Sequence, residues 1–151
     1  MWAQAMLVSA AAAIGWMALD ARHDAREVEG LRSRSTAESM ATVRSAAVAF
    51  SRAHPSFEGA LAQGDLGLPD WAHPSPGIHA RIDGRLVIVY LDGVAPPDLL
   101  MQMRRLAGGS MLVGQAHAAT GTLMSPDLGD TGIAVSADIP DGAAVWLAAR
   151  E

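Results

Sequence analysis

The first nineteen residues, Met1 to Leu19, read MWAQAMLVSAAAAIGWMAL and carry no charged side chain. At about 1.5 Å of rise per residue, a helix of this length reaches roughly 28 Å, close to the ~30 Å apolar core of a bilayer. Gln4 and Ser9 are its clearly polar residues, and Trp2 and Trp16 stand near the two ends, where indole rings favour the headgroup layer. Asp20 then opens the polar run DARHDAREVEGLRSR. The pattern predicts a transmembrane helix over residues 1–19, a charged helical extension or stalk over 20–35, and a soluble domain over 36–151. Within the span, Ala11 and Gly15 form a small-xxx-small pair that would let a partner helix approach closely.

Two other readings compete with the anchor. A cleaved signal peptide has a basic n-region and a small-residue cleavage site. No Lys or Arg precedes the apolar run, although Ala10 to Ala13 would suit a permissive peptidase. A buried core helix is the second, because seven of the nineteen residues are the weakly hydrophobic Ala. Length and the flanking charge favour the anchor. Orientation is contested by the arginines: none precedes the span, and Arg22, Arg26, Arg32 and Arg34 follow it, which by the positive-inside bias points the domain toward the cytoplasm.

The rest of the chain is long enough for one domain with its own core. All eleven basic residues are Arg, and the net charge of −5 argues against a nucleic-acid surface, which needs a basic excess. With no cysteine, disulfides, thiolate metal sites and thiol catalysis are excluded.

In residues 20–35, Gly30 and the cluster Ser33, Ser35, Thr36 permit a break, after which Ser35 and Glu38 could form a capping box for a new helix. Met40, Val43, Ala47 and Phe50 then recur at helical spacing and predict a core-facing stripe, whereas Arg44, Ser45, Ser51 and Arg52 fall largely elsewhere. Pro55 should stop the helix near His54. Residues 55–77 read as a loop rich in Pro and Gly, pinned by Leu66, Leu68 and Trp71. Ile78–Ile82 and Arg85–Leu91 flank Asp83-Gly84, which predicts a hairpin with a type I′ turn, and the run Leu86 to Tyr90 predicts a strand covered on both faces. Pro96 and Pro97 start a short helix through Leu99, Leu100, Met103 and Leu106, ending at Gly108 with Arg104 and Arg105 in its last turn. Short strands are expected near 111–113, 121–124, 133–135 and 143–148, separated by turns that include 127–132. The order predicts an α+β fold: the N-terminal transmembrane helix, then a helix packed on an antiparallel sheet.

Chemistry is sparse. None of the five histidines falls in a metal-binding spacing such as HExxH; Asp70 and His73 form a loop pair better explained by solvation than by a metal. Ser110 and Ser125 lie outside any G-x-S-x-G elbow, and Gly108, Gly109 and Gly114 make no phosphate loop. Asp127, Asp130, Asp138 and Asp141 alternate with Gly and Pro and read as turn formers rather than cation ligands. Trp71 and Trp146 are both expected in the core. The residues indicate neither catalysis nor a cofactor, and point to a membrane-tethered α+β domain that binds other proteins.

The layout as a whole carries a resemblance. The uncharged span with Gly15-Trp16-Met17, the phrase HPSFEGALAQGDLGLPDW (residues 54–71), IDGRLVIVY (82–90), GTLMSP (121–126) and the terminal IPDGAAVW (139–146) together resemble the small PilM family of thin-pilus and conjugative type IVb pilus operons. The resemblance implies a non-enzymatic, single-pass inner-membrane component of pilus biogenesis. Its partners would be other assembly proteins, pilin subunits and the lipid bilayer, with homo-oligomers left open. By analogy with pilin-like layouts it implies a periplasmic domain, the reverse of the arginine count, and the periplasmic placement is the reading adopted. A long helix half in the membrane with a sheet on its second half is also pilin-like. However, no prepilin cleavage signal precedes the apolar run, no Glu stands at its fifth position, and no C-terminal cysteine pair is present. A minor pilin or pseudopilin in the fibre is therefore the first alternative, and a periplasmic ligand-binding or hydrolytic domain released from its leader is the second.

Overall fold

The computed structural model describes the backbone of residues 2–150 and the side chains of residues 26–150. The fold is α+β: two helices pack on a seven-stranded antiparallel sheet. Helix α1 spans Trp2–Ala53. It runs unbroken through Gly30 and Ser33 to Thr36, so the expected break and the capping box at Ser35 do not form. Tertiary contact explains the continuity. Ser33 is fully buried, and its hydroxyl lies 2.8 Å from the Glu29 carbonyl oxygen and 2.5 Å from that of Pro97, sharing one proton between two acceptors. The predicted anchor, with Trp2, Ala11, Gly15 and Trp16, lies outside the residues whose side chains are described. Among the described residues, no helix is long and apolar enough to cross a membrane.

From Ser33 onward α1 buries Ala37, Met40, Val43 and Ala47 against the sheet, the stripe that the 3.6-residue period predicts, with Phe50 partly buried at its end. The helix ends at Ala53, as the Pro55 argument requires. Ser51 departs from expectation: it is buried, and its hydroxyl donates to the Val48 carbonyl at 2.8 Å.

The loop after α1 contains more structure than its Pro and Gly content suggests: strand β1 (Gly59–Leu61) and a 3-10 turn (Gln63–Leu66). Leu66 and Leu68 pin it to the core. Trp71 does not; it is 79% exposed at a turn closed by the Ala72 N–H donating to the Pro69 carbonyl. The indole instead borders a shallow hollow beside Ser35, Glu38, Ser39 and Thr42 of α1.

Strands β2 (Ile78–Asp83) and β3 (Leu86–Leu91) form the predicted hairpin, with Asp83 opposite Leu86. The connecting residues are therefore Gly84-Arg85, one position later than expected. Only Gly84 has a positive φ, 55°, which fits a type II′ turn and not type I′. Helix α2 spans Leu99–Leu106. Pro96 and Pro97 precede it, and the start falls to Asp98 in the left-handed conformation at φ 60°. At the other end, Gly108 and Gly109 donate back to the carbonyls of Arg105 and Arg104, a Schellman stop at the glycine where it was expected.

The remaining strands are β4 (Val113–His117), β5 (Thr122–Ser125), β6 (Gly129–Ala134) and β7 (Ala144–Ala149). Residues 129–132, expected in a turn, begin β6, because the β5–β6 connection is closed tightly with Ser125 opposite Gly129. The sheet order is β1-β2-β3-β7-β4-β5-β6, which puts the C-terminal strand in the middle. Close packing there explains Gly114: a Cβ on it would lie 2.2 Å from the Met124 carbonyl oxygen.

The sheet is covered on both faces. One face, with Ile82, Val87, Val89, Val113 and Trp146, packs against α1 and α2. The other, with Ile88, Val145, Leu147 and Leu123, is covered by an irregular segment that contributes Val135, Ile139 and Ala143. Arg81 holds that segment through Asp138 at 2.9 Å.

Candidate interaction surface

The residues that could have carried chemistry are dispersed. Asp70 and His73 are both exposed in the loop after the 3-10 turn. Each of the four late aspartates has its own neighbour: Asp127 pairs with Arg104, Asp138 with Arg81, Asp141 accepts from the Ala118 N–H at 2.8 Å, and Asp130 from the Gly132 N–H at 2.9 Å. These are turn and clasp roles. The Asp130 carboxyl is held below its ordinary pKa, first by the Gly132 N–H, then by the Thr122 hydroxyl, with a smaller contribution from nearby His117. The Ser110 hydroxyl accepts from the Leu112 N–H at 3.2 Å, and Ser125 is buried in β5. Trp146 lies in the core, 3% exposed, as expected.

Arg44 acts in the opposite way from its predicted off-core position. Its Nε donates to the Leu147 carbonyl at 3.1 Å, and its guanidinium lies 5.4 Å from the centroid of the Trp146 ring. Burial lowers its pKa from the ordinary value, but an arginine stays charged at any working pH. The side chain thus fastens α1 to the middle strand of the sheet. At the other end of the domain, Arg150 donates to the carbonyls of His54 (2.9 Å) and Gly84 (3.3 Å) and pairs with Glu58 (3.5 Å), tying the end of α1 to the β2–β3 turn.

A surface feature that the sequence reading missed lies between the two helices. A groove of about 480 Å³ is lined by Glu27, Gly30, Leu31 and Arg34 of α1 and by Gln102, Arg105 and Leu106 of α2. Leu31 is 67% exposed and Leu106 is 50% exposed, so the lining is apolar yet open to solvent. On α1 the four lining residues follow i, i+3, i+4, i+7, one face of a helix. That spacing was visible in the polar run after the span, but the surrounding charges concealed it. Only the packing of α2 beside this turn makes it one wall of a groove. Further along α1, Trp71 borders a smaller hollow of about 210 Å³ with Ser35, Glu38, Ser39 and Thr42.

Fold and surface together define an α+β domain carried on one long helix, with an open groove between that helix and α2. A family model for PilM matches residues 8–147, and the chain belongs to the PilM family. This gives it a pilus-related role. The crystal structure of a PilM protein from Escherichia coli B7A is similar at 21% identity and a TM-score of 0.59, covering 79% of this chain and 93% of that one, and shares the fold. A PilM protein from Pseudomonas aeruginosa 2192 is 30% identical, with a TM-score of 0.46, covering 78% of this chain and 94% of that one. No curated protein matches the chain.

Proposed function

We propose that this protein is a non-enzymatic, single-pass inner-membrane subunit of a type IVb (thin or conjugative) pilus biogenesis machine, acting through protein–protein contacts. The observation that carries the reading is the joining of two features in one helix. Family membership extends from the folded domain back to residue 8, inside the uncharged run of residues 1–19, and that run is continuous in α1 with the helix on which the sheet is packed. A rigid helix of this kind would hold the domain at a fixed height and rotation above a membrane. Assembly proteins and pilin subunits would then meet a surface already oriented.

The domain is assigned to the periplasmic side, by analogy with pilin-like layouts and against the arginine bias. A compartment-sensitive reporter at the C-terminus tests this, and activity of a cytoplasm-specific reporter overturns it. The function itself is tested by deleting the chain: loss of surface pili is expected, and normal piliation sinks the proposal. Full-length protein should sediment with membranes and need detergent for release. The long helix with a sheet on its distal half also supports a second reading, a minor pilin within the fibre. Mass spectrometry of sheared pili separates the two, since detection of the chain in the fibre favours the second.

A further inference from the structure

We propose that the hollow between α1 and the C-terminal end of β7 takes a carboxylate side chain presented by another protein, with the Arg44 guanidinium as its receptor. This deepens the proposed function by naming the chemistry of one contact, and it rests on that reading for the choice of a protein over a lipid.

The hollow measures about 480 Å³, and Arg44, Ser45, Val48, Arg52, Leu112 and Ala149 are among its walls. Two of the lining residues are Arg and none is acidic, in a chain whose net charge is −5.

Arg44 carries the site. Its Nε is spent on the Leu147 carbonyl at 3.1 Å, and its guanidinium lies 5.4 Å from the centroid of the Trp146 ring. Its two terminal nitrogens make no hydrogen bond among the described residues, yet neither is sealed from solvent. Among the described residues Arg44 also makes no ion pair, and burial lowers its pKa with no carboxylate to offset the shift. A partly desolvated charge without a counter-ion is costly. Fixed at Nε and against the indole, the guanidinium keeps its end-on pair of N–H groups unspent, the fork that grips a carboxylate with two bonds. Arg52, about two turns further along α1, adds a second positive charge to the lining.

The end of β7 adds a backbone donor. The Leu147 N–H donates to the Leu112 carbonyl at 2.8 Å, and the Arg150 N–H donates to that of Arg85 on the β3 side at 2.8 Å. Alternation along the strand therefore turns the Ala149 N–H to the β4 side, beyond the last residue that pairs there. It has no partner among the described residues.

The walls and the height of the hollow choose the occupant. Val48 and Leu112 provide apolar surface beside the charge, which suits the methylene stem of an acidic side chain and offers nothing to a bare phosphate. A lipid phosphate is out of reach. Arg44 follows Leu19 by 25 residues of continuous helix, roughly 37 Å at about 1.5 Å per residue, whereas headgroups extend only about 5–8 Å beyond the apolar core. Charge complementarity then favours an acidic protein surface, since the chain lacks the basic excess that a nucleic acid requires.

The site is tested with glutarate as the probe, titrated into the detergent-solubilised full chain while the Arg44 Nε–Hε resonance is followed by NMR. A saturable shift is expected, and glutaramide, the uncharged isostere, should bind at least about tenfold more weakly. Ser45→Glu, at an exposed position of α1, places the chain's own carboxylate in the hollow. It should abolish the shift and leave the thermal melt unchanged. The site is overturned by no saturable shift, by equal binding of glutaramide, or by survival of the shift in Ser45→Glu. The source is tested with a photo-cross-linker at Ala149 in cells making pili. The adduct expected is with a protein other than this chain, at a segment holding an Asp or Glu whose replacement by Asn or Gln abolishes it. An adduct with lipid, an adduct of two copies, an adduct indifferent to every nearby acid, or no adduct overturns the choice of partner. Normal piliation in a deletion strain would instead sink the proposed function and leave the glutarate titration untouched, so the two failures are distinguishable.

Discussion

Between Ser33 and Ala53, helix α1 buries Ala37, Met40, Val43 and Ala47 and fastens Arg44 to the sheet. In the turns just before, the same helix presents Val28 (48% exposed) and Leu31 (67%) to solvent beside a glycine that no internal contact needs. Both stretches belong to one helix, yet in one the apolar residues are enclosed by the sheet, and in the other Leu31 walls an open groove and Val28 is left exposed. Amphipathic spacing therefore identifies a face that seeks burial without saying what buries it. Where the domain supplies the cover, the stripe is core; where it does not, the stripe is available to another protein.

That contrast can be broken by mutation. Met40→Ala, on the enclosed stripe, should cost about 2–5 kcal/mol of unfolding free energy by chemical denaturation, through lost burial and the cavity left behind. Arg44→Ala should cost about 1–3 kcal/mol, from the charged hydrogen bond to Leu147, the contact with Trp146 and the packing of its stem. Lysine at position 44 should not restore the loss, because it has no Nε donor. On the open stretch the sign reverses: Gly30→Ala should raise stability by about 0.5–1 kcal/mol. Leu31→Ala should stay within about 0.5 kcal/mol of the parent. If Leu31→Ala proved as costly as Met40→Ala, the open stretch would be core and the contrast would fail.

The smallest expected effect is on the acid limb. The folded pKa of Asp130 is depressed, so its contribution is fully present above the unfolded value of about 3.9 and is lost as pH falls through the folded value. Carboxyl titration by NMR should place Asp130 below the ordinary range, and Thr122→Val should move it upward.

The two covers of the sheet show how far the sequence could be read. The helical cover was legible because Met40, Val43 and Ala47 repeat at 3.6 residues, and the stop at Gly108 follows from local backbone chemistry. The opposite cover was not, because Val135, Ile139 and Ala143 have no period and act only once the chain has folded back over Ile88 and Leu147. Trp71 was misplaced for a related reason: hydrophobicity signals a preference for burial, whereas in this loop it is Leu66 and Leu68 that meet the core. The groove was half legible, since Glu27, Gly30, Leu31 and Arg34 share one face in sequence, whereas Arg105 and Leu106 join them only through tertiary packing.

By itself, the sequence determined the uncharged N-terminal run, the helical stripe of Met40, Val43 and Ala47, the β2–β3 hairpin, the position of α2 and the apolar C-terminal strand. These follow from local rules of period, turn chemistry and capping that need no distant partner. Tertiary structure alone decided that β7 lies between β3 and β4, that Arg44 reaches the Leu147 carbonyl, and that α2 turns one stretch of α1 into a groove. Each depends on which segments meet across the chain, and that is set by the closing geometry of the whole sheet rather than by any one segment's preference.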